Sequence, residues 1–506
     1  MSRLARVMSA VVVGLEAVPV TIEACITPGL PAFNIVGLPD KSVEESRERI
    51  RAALKHLGYS MPNKRITINL APADIRKEGA MYDLPMTLAV LIADEQIPEE
   101  KINGTVVVGE LGLDGTIRVV KGVLSVAILA HKKQWSLIAP PDNLAEARII
   151  EGLELIPITN LTNVVEWLRG NATIVSEKVK ARKRQPEPHY EADFTHIIGQ
   201  ARAKRALEIA AAGRHNILLW GPPGSGKTLL AKTIPSIMPP MNESEIIDCT
   251  RIYSVAGLLG SGEVTRTRPF RHPHHTTSDI AIIGGGTIPR PGEISLAHNG
   301  ILFMDEFPEF SRKVLEVLRQ PLEDRVVTVS RAQGTITYPA DFMMIASLNP
   351  CPCGYFGDEN HHCRCSAGEI ARYHKKLSGP ILDRFDIMIE VPRVNAKLYI
   401  EKNEGAERSE SIRKRVVKAW TRQYRRNSQK YNYQLTKKDL DRYCQINQET
   451  SQMLEMAINK LNISTRGYTR VLKIARTIAD LENSTNINIQ HIAEALQYRP
   501  KSLGLL

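Results

Sequence analysis

The apolar run Ile217-Leu218-Leu219-Trp220 opens directly into Gly221-Pro222-Pro223-Gly224-Ser225-Gly226-Lys227-Thr228. A strand that feeds a glycine-rich loop and then a Lys-Thr helix start is compatible with few folds. The loop backbone must wrap a polyanion, and the strand must lie inside a sheet. Backbone N–H groups close on the phosphates, Lys227 supplies positive charge to them, and the Thr228 hydroxyl reaches Mg²⁺. A second apolar strand, Ile301-Leu302-Phe303-Met304, ends in Asp305 and Glu306. Asp305 stands where such a fold needs an acid beside Mg²⁺, and Glu306 where it needs a group to polarise the attacking water. In this order the two elements predict nucleotide hydrolysis. A glycine-rich turn and an acidic strand end would leave the Lys-Thr pair unexplained.

The remainder of the chain divides around this centre. Residues 1–170 read as one unit, with a β-branched run at Ala10–Val13 and alternation at Ile66–Leu70. Val106–Val108 and a strand pair turning at Gly112 and Gly115 follow. Ser42 and Glu45 have capping-box spacing and predict a helix start, and Leu124 to Ala130 is helical in pattern. Residues 171–192 contain SEKVKARKRQPEPHY, polar, basic and without periodicity, and predict a linker. Residues 193–392 alternate apolar strands with helices, as a parallel α/β sheet does. Phe342–Ser347 and Ile387–Val391 are its further strands. Residues 393–506 are predicted to be helical, from the spacing of Ile412/Val416/Ala419 and Val471/Ile474/Ala475/Ile478.

The 506 residues allow two to four domains, each able to bury a core. A formal charge of +11 favours a polyanionic partner. No run approaches the ~18 apolar residues of a membrane span. Glu16 interrupts the apolar N-terminal stretch, and no small-residue cleavage site follows it, so a cytoplasmic protein without a membrane is expected. Of seven cysteines, four stand at Cys351, Cys353, Cys363 and Cys365, which in a reducing compartment predicts a tetrahedral zinc site. His361 and His362 are substitute ligands. Arg413, Lys414, Arg415, Lys418, Trp420, Arg422, Tyr424, Arg425 and Arg426 crowd one helix. They suit either a solvated face with Trp420 packed inward or single-stranded nucleic acid.

Together with Asp193–Gln200 (DFTHIIGQ), Arg268–Ser278 (RPFRHPHHTTS), Gly284-Gly285-Gly286 and Pro291–His298 (PGEISLAH), the two phosphate-site motifs resemble those of the AAA+ ATPases. Asn349–Gly354 (NPCPCG), Ser378–Asp386 (SGPILDRFD) and Ser464–Leu481 narrow the resemblance to the magnesium-chelatase-like ComM/YifB family, over nearly the whole chain. The resemblance implies an AAA+ P-loop ATPase core with a helical lid, with ATP and Mg²⁺ as cofactors. Asn349 then stands as the sensor 1 residue that helps place the water. Arg384 stands as an arginine finger reaching the γ-phosphate of a neighbouring subunit, which implies a homo-hexameric ring. Arg466 stands as sensor 2 on the lid, with Arg470 as the alternative. The stretch Glu323–Tyr338 resembles a hairpin that projects into the ring's pore. Arg331 near its tip is placed to track a DNA backbone, or is an exposed arginine on an ordinary hairpin.

Residues 64–130 resemble the Lon protease domain, an α+β domain with a ribosomal-protein-like fold. Met81 stands at the nucleophile position and Leu124 at the lysine position, so the serine–lysine dyad is missing. The resemblance therefore implies a non-proteolytic N-terminal domain. The ComM/YifB resemblance implies a helicase or branch-migration motor on single-stranded and branched DNA. Such a motor would act with other recombination proteins while transforming DNA is integrated. The alternative is a remodelling chaperone like the I subunit of magnesium chelatase.

Overall fold

The computed structural model describes residues 3–179, 190–260, 263–286, 289–331, 334–358, 361–394, 406–461 and 463–499. Outside them lie residues 180–189 of the expected linker, part of the cysteine loop, the turn of the 323–338 hairpin with the Arg331 side chain, and the chain end. Two compact units form: Met1–Pro186 with Glu243–Arg266, and Glu187–Asn242 with Thr267–Leu506.

The first unit is built on a mixed eight-stranded sheet. Long strands at Arg3–Val13 and Glu16–Thr27 pair antiparallel in its middle. Parallel strands at Thr105–Val107, Ser136–Ala139 and Glu154–Pro157 extend one side. The helix Asp83–Ala93 is buried along its whole length, which is why its sequence is apolar all round. Three sequence expectations are revised here. The helix expected to start at Ser42 spans Lys41–His56 and is capped by Asp40, whose carboxylate accepts from the Val43 N–H. Asp40 lies one residue before the helix and so reaches the free N–H groups of its first turn. Within the expected linker, Glu177–Lys178 pair with Leu155 and Glu154 at the sheet edge. Residues 243–266, expected in the ATPase core, fold into the first unit. Their helix Glu243–Ala256 is fastened there by Arg251, which donates to the Leu15 carbonyl at 2.8 Å and pairs with Glu16 at 2.8 Å.

The second unit holds a five-stranded parallel sheet. Its order is Phe270–Arg271, Ile301–Met304, Met343–Leu348, Ile217–Trp220 and Ile387–Glu390. Ile301–Met304 and Met343–Leu348 are buried at every position, so they read as continuous apolar runs rather than alternating ones. Helices Ser409–Arg426 and Thr465–Leu481 pack on Ala201–Gly213, and one core joins them to the sheet. On the basic helix Ser409–Arg426, three arginines are tied to neighbouring helices or the chain before it, while Lys414, Lys418 and Arg425 are exposed. Arg415 pairs with Glu208 at 2.6 Å, Arg422 donates to the Asp480 carbonyl at 2.6 Å, and Arg426 pairs with the buried Asp480. Trp420 is buried, with its indole N–H on the Ala211 carbonyl at 3.0 Å. Trp420 is thus packed inward, as the solvated-face reading of this segment expects. No helix among the described residues is long and apolar enough to cross a membrane.

Candidate nucleotide-hydrolysis site

The P-loop leaves the strand Ile217–Trp220 at Gly221, where a Cβ would lie 2.2 Å from the Val391 carbonyl oxygen. Only glycine lets the two backbones approach this closely. Gly226 (φ +92°) turns the loop into the helix Lys227–Ile237 in a conformation other residues avoid. The Lys227 ammonium is held by the carbonyls of Gly221 at 2.7 Å and Pro222 at 2.9 Å, and by Asn349 Oδ1 at 3.2 Å. Burial pulls its pKa down to about 8, against the opposing charges of Asp305 and Glu306. Gln200 closes the far side, its amide donating to the Pro392 carbonyl at 2.6 Å and the Ser225 carbonyl at 3.4 Å.

Thr228 Oγ1 donates to Asp305 at 2.8 Å. A hydroxyl and a carboxylate at this separation form the hard-oxygen pair that suits Mg²⁺, which would draw charge from the phosphates when bound. The other Asp305 oxygen accepts from Ser347, one strand over. Ser347 Oγ also accepts from the Glu306 N–H at 3.3 Å. Glu306 has φ +50°, a left-handed conformation that strains a non-glycine residue by about 1 kcal/mol or more and persists only where neighbours enforce it. Its carboxylate lies 3.2 Å from His275 Nδ1. Sequence reasoning missed Ser347 and His275. The one is a lone hydroxyl in an apolar strand, and the other stands 31 residues before its partner in a motif that carried no assigned role.

Lys227, Thr228, Asp305, Glu306 and Asn349 thus come together, whereas Arg384 and Arg466 lie elsewhere. Both line a cavity of about 260 Å³ with Arg214, Glu323, Arg325 and Arg470, and no P-loop residue lines it. Arg384 pairs with Glu323 and donates to the Pro380 carbonyl at 2.7 Å. Arg466 approaches the same Glu323 oxygen at 4.0 Å. Arg470 is tied to Asp386 at 3.3 Å. Against its burial, His215, Arg470 and Lys473 hold the Asp386 carboxyl well below the usual range.

The four sulfurs of Cys351, Cys353, Cys363 and Cys365 lie within 4.8 Å of one another. Cys363 stands 3.7 Å from both Cys351 and Cys353. A zinc tetrahedron with Zn–S bonds of ~2.3 Å has edges of ~3.8 Å, so the donor set fits that ion. Against burial, N–H groups of Tyr355 and Arg364 pull the Cys353 thiol down to about 6. Cys365, although its hydrogen bond with the Cys353 backbone lowers it, is pushed up to about 12 by burial and by the Cys353 and Cys351 thiols. His361 stacks on Tyr355 at 4.9 Å and is not one of the cluster.

Three family models match the chain. "Magnesium chelatase, subunit ChlI" covers residues 193–399, "Subunit ChlI of Mg-chelatase" covers 22–143, and "Magnesium chelatase, subunit ChlI C-terminal" covers 406–499. The competence protein ComM of Haemophilus influenzae is 43% identical over 98% of this chain and 97% of its own. The uncharacterized protein YifB of Salmonella typhimurium is 42% identical over 98% and 97%. A magnesium-chelatase 38 kDa subunit of Cereibacter sphaeroides is 23% identical over 39% of this chain and 58% of its own. With a parallel five-stranded sheet, a phosphate loop on its central region and near-complete coverage by these relatives, the chain belongs to the magnesium-chelatase-like ComM/YifB family of AAA+ proteins.

Proposed function

We propose that this chain is an ATPase that assembles as a homo-hexameric ring and moves on single-stranded and branched DNA. It would act with other recombination proteins in the cytoplasm, integrating DNA taken up during natural transformation. One observation carries the ring: Arg384 and Arg466 line a cationic cavity that shares no residue with the chain's own P-loop. A guanidinium that stabilises charge on the γ-phosphoryl oxygens must reach them, so these two serve the nucleotide of the next subunit. Lys227 then neutralises the phosphates, Thr228 and Asp305 hold Mg²⁺, and Asn349 and Glu306 orient and polarise the water. The name of the Haemophilus relative supports competence as the setting, and the +11 charge supports a polyanionic partner.

Within this reading Arg331 and the strands Val326–Arg331 and Gly334–Pro339 form the hairpin that meets the DNA backbone. The cysteine cluster holds structural zinc and stiffens the segment between Asn349 and Arg384. The N-terminal unit is a Lon-like domain without proteolysis, since Met81 and Leu124 are both buried in its interior and no serine occurs between Lys64 and Val90. The test is the ATPase rate with no DNA and with single-stranded, duplex or branched DNA, for the wild type, Lys227→Ala and Glu306→Gln. DNA should raise the wild-type rate, Lys227→Ala should lose hydrolysis, and Glu306→Gln should bind ATP without turning it over. Stimulation by a protein partner and not by DNA would replace the motor with a chelatase-like remodeller.

A further inference from the structure

The cavity that holds the two arginines also contains the root of the hairpin. Glu323 and Asp324 close the helix Arg319–Asp324, and the first hairpin strand begins two residues later at Val326. Two of the root's fastenings face this cavity. At the first, the Ala340 N–H donates to the Arg325 carbonyl at 2.8 Å, and Tyr433 from the helical lid sits between the guanidinium groups of Arg325 at 4.5 Å and Arg214 at 4.8 Å. The Tyr433 hydroxyl donates to Asp341 at 2.7 Å. This clamp is built from two guanidinium groups over one ring and from hydrogen bonds, and Arg384 makes none of these contacts. At the second place the contact is made by Glu323. Its carboxylate takes the Arg384 guanidinium and draws Arg466 to 4.0 Å.

The two partners of this contact differ in exposure. The Arg384 side chain is 10% exposed and that of Glu323 is 52% exposed. Arg384 is thus inside the cavity, and the carboxylate in front of it is what shields it. A half-exposed ion pair biases an equilibrium by about fivefold or less. A triphosphate offers a guanidinium more charge and a bidentate geometry, so it displaces a single carboxylate. Six cationic side chains line the cavity, Arg214, Arg325, Arg384, Arg466, Arg470 and Lys473, against the acids Glu323, Asp341 and Asp386. Asp341 and Asp386 are already engaged, by Tyr433 and by Arg470. Glu323 is the acid whose partners a phosphate would claim.

We propose that Glu323 is a positioning residue. It holds Arg384 and Arg466 in reserve while the cavity is without phosphate, and it is released when they take the triphosphate presented by the next subunit. Release of Glu323 loosens one of the fastenings at the hairpin root, which links occupancy of the nucleotide interface to the strand that follows. The inference rests on the ring reading and adds the residue through which that ring passes its nucleotide state to the hairpin.

The experiment compares the wild type, Glu323→Gln, Glu323→Asp and Arg384→Ala, each as the full chain, by steady-state ATPase with and without single-stranded DNA. Glu323→Gln keeps the shape and removes the charge that restrains the arginines. It should raise the DNA-independent kcat about fivefold, the factor that ~0.95 kcal/mol gives at 1.36 kcal/mol per tenfold. It should also bring the ratio of stimulated to basal rate close to one and leave KM for ATP unchanged, because the P-loop is untouched. Glu323→Asp should keep the wild-type ratio. A wild-type basal rate and ratio in Glu323→Gln, with Arg384→Ala inactive, would overturn the role of Glu323 and leave the ring reading standing. Full activity in Arg384→Ala would instead overturn the ring reading itself. Hydrogen exchange at the 326–331 and 334–338 amides gives a readout independent of turnover. A slowly hydrolysed ATP analogue should speed exchange in the wild type, and Glu323→Gln should show the faster exchange without nucleotide. Identical exchange in these three conditions would refute the coupling.

Discussion

Glu146 is a carboxylate at 5% exposure in the first unit, beside a cavity of about 220 Å³ bounded by Val120, Lys121, Asn143 and the 254–263 segment. Burial pushes its pKa up to about 7, with Ser254 and Asn143 offsetting part of the effect. A folded-state pKa above the unfolded value of 4.5 means that the folded protein keeps a proton the unfolded chain has lost. Below pH 4.5 both states are protonated and nothing is lost. Between 4.5 and 7 stability falls as pH rises, and above 7 the full penalty is present. The shift corresponds to about 3 kcal/mol. Glutamine fills the same space and cannot ionise. Wild type and Glu146→Gln should therefore differ by less than ~1 kcal/mol at pH 5, with the variant more stable by about 3 kcal/mol at pH 8. The assay is urea unfolding followed by Trp135 and Trp167, with Trp220→Phe and Trp420→Phe removing the other two of the four tryptophans in both proteins. A difference that stays constant from pH 5 to pH 8 would refute the reasoning, because it would mean that Glu146 ionises in the folded state as it does in water.

Three further outcomes follow from the second unit. Ser347→Ala removes the hydroxyl that joins Asp305 to the Glu306 N–H, a charge-assisted contact of ~2 kcal/mol, so kcat should fall up to about thirtyfold with little change in ATP affinity; a rate within twofold of wild type would show that Asp305 needs no such support. Protein purified without chelator should carry close to one zinc per chain by elemental analysis, and Cys351→Ser with Cys363→Ser should lose the metal and melt at a lower temperature. Arg384→Ala mixed with Lys227→Ala should recover part of the activity each lacks alone, since an intact arginine can then face an intact loop; inactivity at every ratio, with co-assembly verified, would place both roles in one subunit.

What the sequence made legible was the local part of the fold. The loop 221–228, the acidic strand end at Asp305 and the paired cysteines are each set by neighbours in the chain, and the structure draws Lys227, Thr228, Asp305 and Asn349 together. What was not legible depends on register across strands or on where a segment goes. Ser347 faces Asp305 because Met304 pairs with Ala346, a register no local pattern encodes. His275 reaches Glu306 from the loop after the edge strand Phe270–Arg271, which is only two residues long and gave no periodicity. The helix Glu243–Ala256 is amphipathic in any setting, and its periodicity does not say which unit its buried face joins. Glu323 was read as the start of a hairpin strand, whereas it ends the preceding helix, and its partner lies 61 residues on.

The central claim is that hydrolysis at this P-loop drives movement on DNA. Its most direct test follows the branch point of a labelled four-stranded junction in the presence of the full chain, with ATP and with a non-hydrolysable analogue. Backbone contacts carry little sequence information, so movement should occur on junctions of unrelated sequence and weaken steeply as salt rises. Strand exchange is expected with ATP, none with the analogue, and none for Glu306→Gln. Equal movement with the analogue, or no movement on any junction while ATP is being hydrolysed, would contradict it.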